Sequence, residues 1–160
     1  MTVTAPYGSW ASPISPAMLT RAGVGLSDVS ADGDDLYWVE SRPSEAGRSV
    51  IVRCSPDGNV EDVSPAGFDS RTRAHEYGGG AYAVSDGTVV SSSFGDQRVY
   101  RLDADAPYAI TPEPDLPAGD RYADFILHED LVICVRDRHV PDGEAIAELA
   151  PYLGEHHAID

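Results

Sequence analysis

The chain has 160 residues, 42% of them hydrophobic, and a formal net charge of −16 from 27 acidic and 11 basic side chains. That length and apolar content suit a globular domain with a real core. The acidic excess excludes the basic footprint that nucleic acid or an anionic membrane surface requires. All the basic residues are arginine, which rules out a lysine nucleophile, a Schiff base and a GxxxxGK[ST] phosphate loop. Most carboxylates are expected on solvated turns. Cys54 and Cys134 are far apart, each in an apolar run, and read as reduced core residues rather than a disulfide or zinc ligands. With no basic-then-apolar leader and no apolar run of membrane-spanning length, the expected location is cytoplasmic.

In chain order, residues 1–23 read as an arm with a short helix over Pro16 to Ala22. Ser15 is its N-cap, Pro16 its first residue and Gly23 its stop. Tyr7, Trp10 and Ile14 are expected to pin the arm to a larger body. From residue 24 the pattern becomes short strands and turns. Leu36-Tyr37-Trp38-Val39, Val50-Ile51-Val52 and Leu131-Val132-Ile133-Cys134-Val135 are strand-like, with Trp38 expected in the core. Asp32-Gly33, Asp57-Gly58, Asp86-Gly87 and Pro112 mark turns. A weak helical period covers Gly143 to Leu149.

These strands repeat. The run Asp34 to Val39 is echoed by Asp86 to Ser91 and by Glu129 to Cys134. Arg48 to Arg53 is echoed by Gln97 to Leu102. Val63-Ser64-Pro65 is echoed by Ile110-Thr111-Pro112. The spacing of roughly 40 to 55 residues, at about four strands per unit, is that of β-propeller blades. A β-sandwich has similar strand density without the internal echo. The predicted fold is therefore all-β: a partial β-propeller of about two and a half four-stranded blades, with an N-terminal arm and short helix. Its division is 1–23 for the arm and 24–160 for the propeller. One blade covers about 24 to 65 and a second about 70 to 112; the third, from Tyr122, has two strands by Val140. Closed propellers have about four to eight blades, so the expectation is a fragment of a larger propeller rather than one part of an assembled ring.

The segment Arg71-Thr72-Arg73-Ala74-His75-Glu76-Tyr77-Gly78-Gly79-Gly80-Ala81-Tyr82 stands out. Consecutive glycines lose much backbone entropy on folding and are kept where a backbone passes close to something, or needs angles that a Cβ forbids. That something is either a polar ligand or a neighbouring strand. The segment is expected on the first, inner strand of the second blade. Arg71, Arg73, His75 and Tyr77 would then share one face, and Thr72, Ala74 and Glu76 the other. Glu76 is the candidate ligand carboxylate, with His75 and Tyr77 beside it and Tyr77 or Tyr82 as a ring wall. The alternative pairs Glu76 with Arg71 or Arg73 to hold blades in register. Asp32, Asp34 and Asp35 lack calcium-loop spacing, and His156-His157 reads as surface loop, so no metal site is expected. Arg136 and Arg138 are expected to be solvated or paired with acidic turns.

Pro6-Tyr7-Gly8-Ser9-Trp10, Leu36 to Pro43 and Arg73 to Tyr82, in that order, resemble the N-terminal propeller region of prolyl oligopeptidase-family serine peptidases. The similarity is to the dipeptidyl aminopeptidase/acylaminoacyl peptidase branch and, within it, to the aminopeptidases that include puromycin hydrolase. The resemblance covers nearly the whole chain and is weakest over the last 15 residues or so. It implies an α/β-hydrolase domain with a Ser-Asp-His triad, the serine on a GxSxG elbow. No GxSxG occurs here, so no catalytic residue is carried over, and the chain alone is expected to be inactive. What the resemblance implies for this chain is a cap over the active site that helps bind the free amino end of a peptide or aminoacyl-amide substrate, through Glu76, His75 and Tyr77. No cofactor is implied. The alternative is a non-catalytic propeller module that binds a ligand or protein.

Overall fold

A computed structural model of the chain describes residues 23–139 and 146–153, together with residues 4, 6–9, 14, 15 and 18. The described residues are nearly all β, in three antiparallel sheets. The first orders β1 (Gly25–Asp32), β2 (Asp35–Arg42), β3 (Arg48–Cys54) and β4 (Val60–Asp62) side by side. The second repeats this with β5 (Tyr82–Ser85), β6 (Thr88–Ser92), β7 (Val99–Arg101) and β8 (Tyr108–Ala109). The third has β9 (Asp120–His128), β10 (Leu131–Arg138) and β11 (Ile146–Leu153), with β10 in the centre. A 3-10 turn, Pro43–Glu45, joins β2 to β3.

Two-residue hairpins begin each sheet. In the β5–β6 hairpin Asp86 and Gly87 both take positive φ, 50° and 77°, as the turn that matches strand twist requires. The Asp32 carboxylate, at the equivalent turn of the first sheet, accepts the Asp86 and Gly87 N–H groups at 2.9 and 2.7 Å. It caps its neighbour's hairpin.

The sheets stack face to face as blades do, and the core lies between them. Tyr37, Val39 and Ile51 of the first sheet meet Tyr82, Val89 and Leu102 of the second. Val90, Val99 and Ile110 of the second meet Tyr122, Phe125, Val132, Cys134 and Ala150 of the third. Adjacent Val89 and Val90 therefore serve opposite interfaces, which period-2 alternation dictates. Each such burial contributes about 1.5–3 kcal/mol. The first strands β1, β5 and β9 are neighbours, with β5 between the other two. Cys54 and Cys134 are both free, and burial pushes the Cys134 thiol up to about 12.

The repeat is structural as well as sequential. The Ser64 hydroxyl accepts the Ile51 N–H at 2.9 Å, and the Thr111 hydroxyl accepts the Val99 N–H at 3.0 Å. The preceding N–H groups of Val63 and Ile110 each donate to the carbonyls of the same two residues, both at 2.8 Å. Counted from the hairpins, Tyr37 corresponds to Val90 and Ile51 to Val99. This is one residue away from the alignment read in the sequence, because Gly33-Asp34, not Asp34-Asp35, is the counterpart of Asp86-Gly87.

Several expectations are corrected. Residues 146–149 are strand, not helix: β11 pairs along all of β10, from Leu131↔Leu153 to Arg138↔Ile146. The unpaired edge of β10 outweighs a weak helical period, and Pro151 is tolerated because β11 is an outer strand. The two strands expected by Val140 are β9 and β10, and β11 adds a third among the described residues. Trp38 is half-buried, its indole N–H on Glu40 at 3.2 Å; Tyr37 and Val39 take the core face instead. Tyr7 is 99% exposed and does not pin the arm. The Ser15 hydroxyl accepts the Met18 N–H at 3.2 Å, as an N-cap would, but the rest of the helix over Pro16 to Ala22 lies outside the described residues, as do Trp10 and His156-His157. Arg136 pairs with Glu148 on the neighbouring strand and Arg138 with Asp120 on the other.

Candidate functional site

The segment before β5 is a turn, not the expected inner strand. The Glu76 N–H donates to the Arg73 carbonyl at 3.1 Å and the Gly78 N–H to the Ala74 carbonyl at 2.9 Å. His75 and Glu76 both take left-handed φ, 58° and 64°, and Gly78 follows at 88°. Two successive left-handed residues cannot continue a ladder, so β5 starts only at Tyr82 and the two-face alternation proposed for Arg71 to Tyr77 does not apply.

What the glycines approach is a strand of the third sheet. A Cβ on Gly79 would lie 2.9 Å from the Ala123 Cβ and 3.1 Å from an Asp124 carboxylate oxygen; one on Gly80 would lie 3.2 Å from that oxygen. The Gly80 carbonyl accepts the Asp124 N–H at 2.8 Å, and the Gly80 N–H donates to the Asp124 carboxylate at 2.8 Å. Asp124 sits in a β-bulge, at φ 57°, opposite Cys134. β1 has the matching bulge at Asp28, φ 52°. The Tyr82 hydroxyl donates to the Asp28 carbonyl at 2.6 Å. Burial, with the Asp28 charge second, pushes that phenol up to about 12. Tyr82 is thus a buried tie between sheets.

The turn brings together side chains from three places in the sequence. Arg121 donates to the Glu76 carboxylate at 3.1 Å and to the Arg73 carbonyl at 3.1 Å. The partner of Glu76 is therefore Arg121, not Arg71 or Arg73. Arg71 pairs with Asp69, and both Arg71 and Arg73 lie over the Phe94 ring, 3.9 and 4.6 Å from its centroid. The His75 ring is 3.7 Å from the Asp124 carboxylate. Its backbone N–H donates to Asp137 at 3.1 Å. His139 Nε2 is 3.2 Å from Asp137 and 4.0 Å from Glu76. The Glu76 side chain remains 70% exposed. Tyr77 points into solvent, 98% exposed.

Arg121, Asp124, Asp137 and His139 were missed in the sequence. They lie on the third sheet or, for His139, just past the end of β10, and only the close approach of β9 to Gly79-Gly80 places them here. Chemically, the site offers exposed carboxylate oxygens at a hydrogen-bonded turn, which suits a cation donating hydrogen bonds. Among the described residues no three His, Cys, Asp or Glu side chains converge to hold a metal ion. Ser91 and Ser92 lie buried in β6, their hydroxyls donating to the Ala81 and Tyr122 carbonyls at 3.1 and 2.7 Å.

No protein-family model and no curated protein matches the chain. Solved structures do. A puromycin-hydrolysing peptidase of Mycobacterium tuberculosis is 38% identical over 98% of this chain and 26% of its own, with a TM-score of 0.84. A puromycin hydrolase is 35% identical over 95% of this chain and 25% of its own, at 0.80. A serine-to-alanine variant of puromycin hydrolase, complexed with PGG, is 36% identical over 94% of this chain and 25% of its own, at 0.80. The chain is similar to a region of the puromycin-hydrolysing peptidases. The resemblance to the propeller region of the prolyl oligopeptidase family, read from the sequence, holds at this identity. The chain spans about a quarter of the length of these structures.

Proposed function

We propose that this chain is the propeller portion of a serine aminopeptidase-type hydrolase. It caps an active site carried by an α/β-hydrolase domain of the same full-length protein and helps bind the substrate's free amino end. Substrates are peptides or aminoacyl amides, and the compartment is cytoplasmic. The fragment 24–160 is the propeller part and 1–23 its leading arm. Bond cleavage, by acyl-enzyme chemistry, belongs to the other domain, and the 160-residue chain alone is inactive.

The observation that carries this reading is the Glu76 carboxylate. It stands 70% exposed on a turn fixed by Arg121, beside His75 and Tyr77, in a chain similar to puromycin-hydrolysing peptidases. A primary ammonium can donate to the carboxylate oxygens that Arg121 leaves free, with His75 and Tyr77 at the sides. One charge-assisted hydrogen bond is worth about 1.5–3 kcal/mol, or about ten- to a hundredfold in affinity.

A second reading is a non-catalytic propeller module in which Glu76 only ties two blades. The Arg121 bond, which runs from the turn to β9, favours it. Glu76→Gln in the full-length protein separates the two. The first reading predicts a KM for free-amino substrates about ten- to a hundredfold higher, with KM for N-blocked substrates unchanged. Equal effects on both leave only the blade tie.

A further inference from the structure

We propose that Asp137 is the positioning residue of the turn that presents Glu76; this rests on the reading of Glu76 as the ammonium anchor. Asp137 lies on β10, and its side chain is 5% exposed. A buried carboxylate is costly unless its oxygens are satisfied. Among the described residues no arginine pairs with this one. It accepts instead from two groups onto a single oxygen, Oδ2: the His75 backbone N–H at 3.1 Å and the His139 ring at 3.2 Å. The first of these groups is 62 residues away in sequence.

That N–H belongs to the apex of the turn. His75 and Glu76 hold φ of 58° and 64°, angles that L side chains adopt only where surroundings fix them. The turn's start is fixed by Gln97, whose buried side-chain carbonyl accepts the Arg73 N–H at 2.7 Å. Its apex is fixed from outside by Asp137. His139 completes the arrangement, standing between the Asp137 and Glu76 carboxylates at 3.2 and 4.0 Å. Asp137 thereby sets where the Glu76 carboxylate points without touching a ligand itself. Since both donors converge on one oxygen, the acceptor geometry matters more than the charge. An amide oxygen in the same place should do the same work.

Two variants of the full-length protein test this. Asp137→Asn keeps an oxygen acceptor; Asp137→Leu keeps the branched shape and loses it. Amide hydrogen exchange is read over residues 74–77, alongside KM and kcat for free-amino and N-blocked substrates. The leucine variant should exchange at the turn at least about tenfold faster, the loss of roughly one charged hydrogen bond. Its KM for free-amino substrates should rise by a similar factor, with kcat and the N-blocked KM unchanged, and asparagine should restore most of both. Unchanged exchange in the leucine variant overturns the proposal. So does faster exchange with equal KM changes for both substrates, which is a merely structural effect. If Glu76→Gln does not discriminate the substrates, the anchor reading fails, and the exchange result with its asparagine rescue alone decides the role of Asp137. Should the leucine variant not fold, Asp137→Ser replaces it, since its short hydroxyl cannot reach the His75 N–H.

Discussion

At Gly79 the absence of a side chain has a specific cause. Its φ is not in the left-handed region, so conformation is not the reason; the cause is the Ala123 Cβ, 2.9 Å from where a Cβ would sit. Neither partner can rotate away, since both atoms are fixed to backbone. Gly79→Ala should therefore destabilise the fold by about 1–3 kcal/mol, the usual cost of overpacking. Urea unfolding would show it as a lower midpoint at unchanged slope. An alanine variant as stable as the parent would mean that β9 gives way freely. The triple glycine was legible in the sequence as a place of close approach, but not what approached. Ala123 and Asp124 lie 44 residues further on, in a strand whose bulge has no local signature. The partner of Glu76 was hidden for the same reason. Arg71 and Arg73 were the arginines near it in sequence, whereas Arg121 is the one that β9 carries to it.

Among the elements, the repeat was legible because each blade reuses one hydrogen-bonding plan. A Ser or Thr after the fourth strand accepts an N–H from the third: Ser64 from Ile51, Thr111 from Val99. Both hydroxyls are buried, and removing either leaves a backbone N–H without its acceptor. Ser64→Ala and Thr111→Ala should each cost about 1–3 kcal/mol, and by similar amounts if the plan is shared. Thermal or urea unfolding of the two variants would check both points. A neutral result at either site would mean that the echo is one of sequence alone. Register was harder to read. The hairpin pairs Gly33-Asp34, Asp86-Gly87 and Glu129-Asp130 differ in order, so matching them by residue type slips the alignment by one and exchanges the two faces. The inner strand of the second blade was misplaced because left-handed His75 and Glu76 look, by composition, like any polar strand. β11 was misread because its partner edge on β10 is a tertiary demand that its own period does not carry.

For the whole molecule, three stacked sheets with β1, β5 and β9 as neighbours account for a quarter of the structures that resemble it. The family's GxSxG elbow has no counterpart in the sequence. Under the proposed function labour is divided: recognition of an amino end here, bond cleavage in the hydrolase domain. The most direct measurement is hydrolysis of an aminoacyl-naphthylamide by the purified 160-residue chain, folded by its far-ultraviolet circular dichroism, beside the full-length protein. The account predicts no naphthylamine from the chain alone, and release by the full-length protein that a serine-reactive inhibitor stops. Release by the 160-residue chain that the same inhibitor abolishes would contradict it.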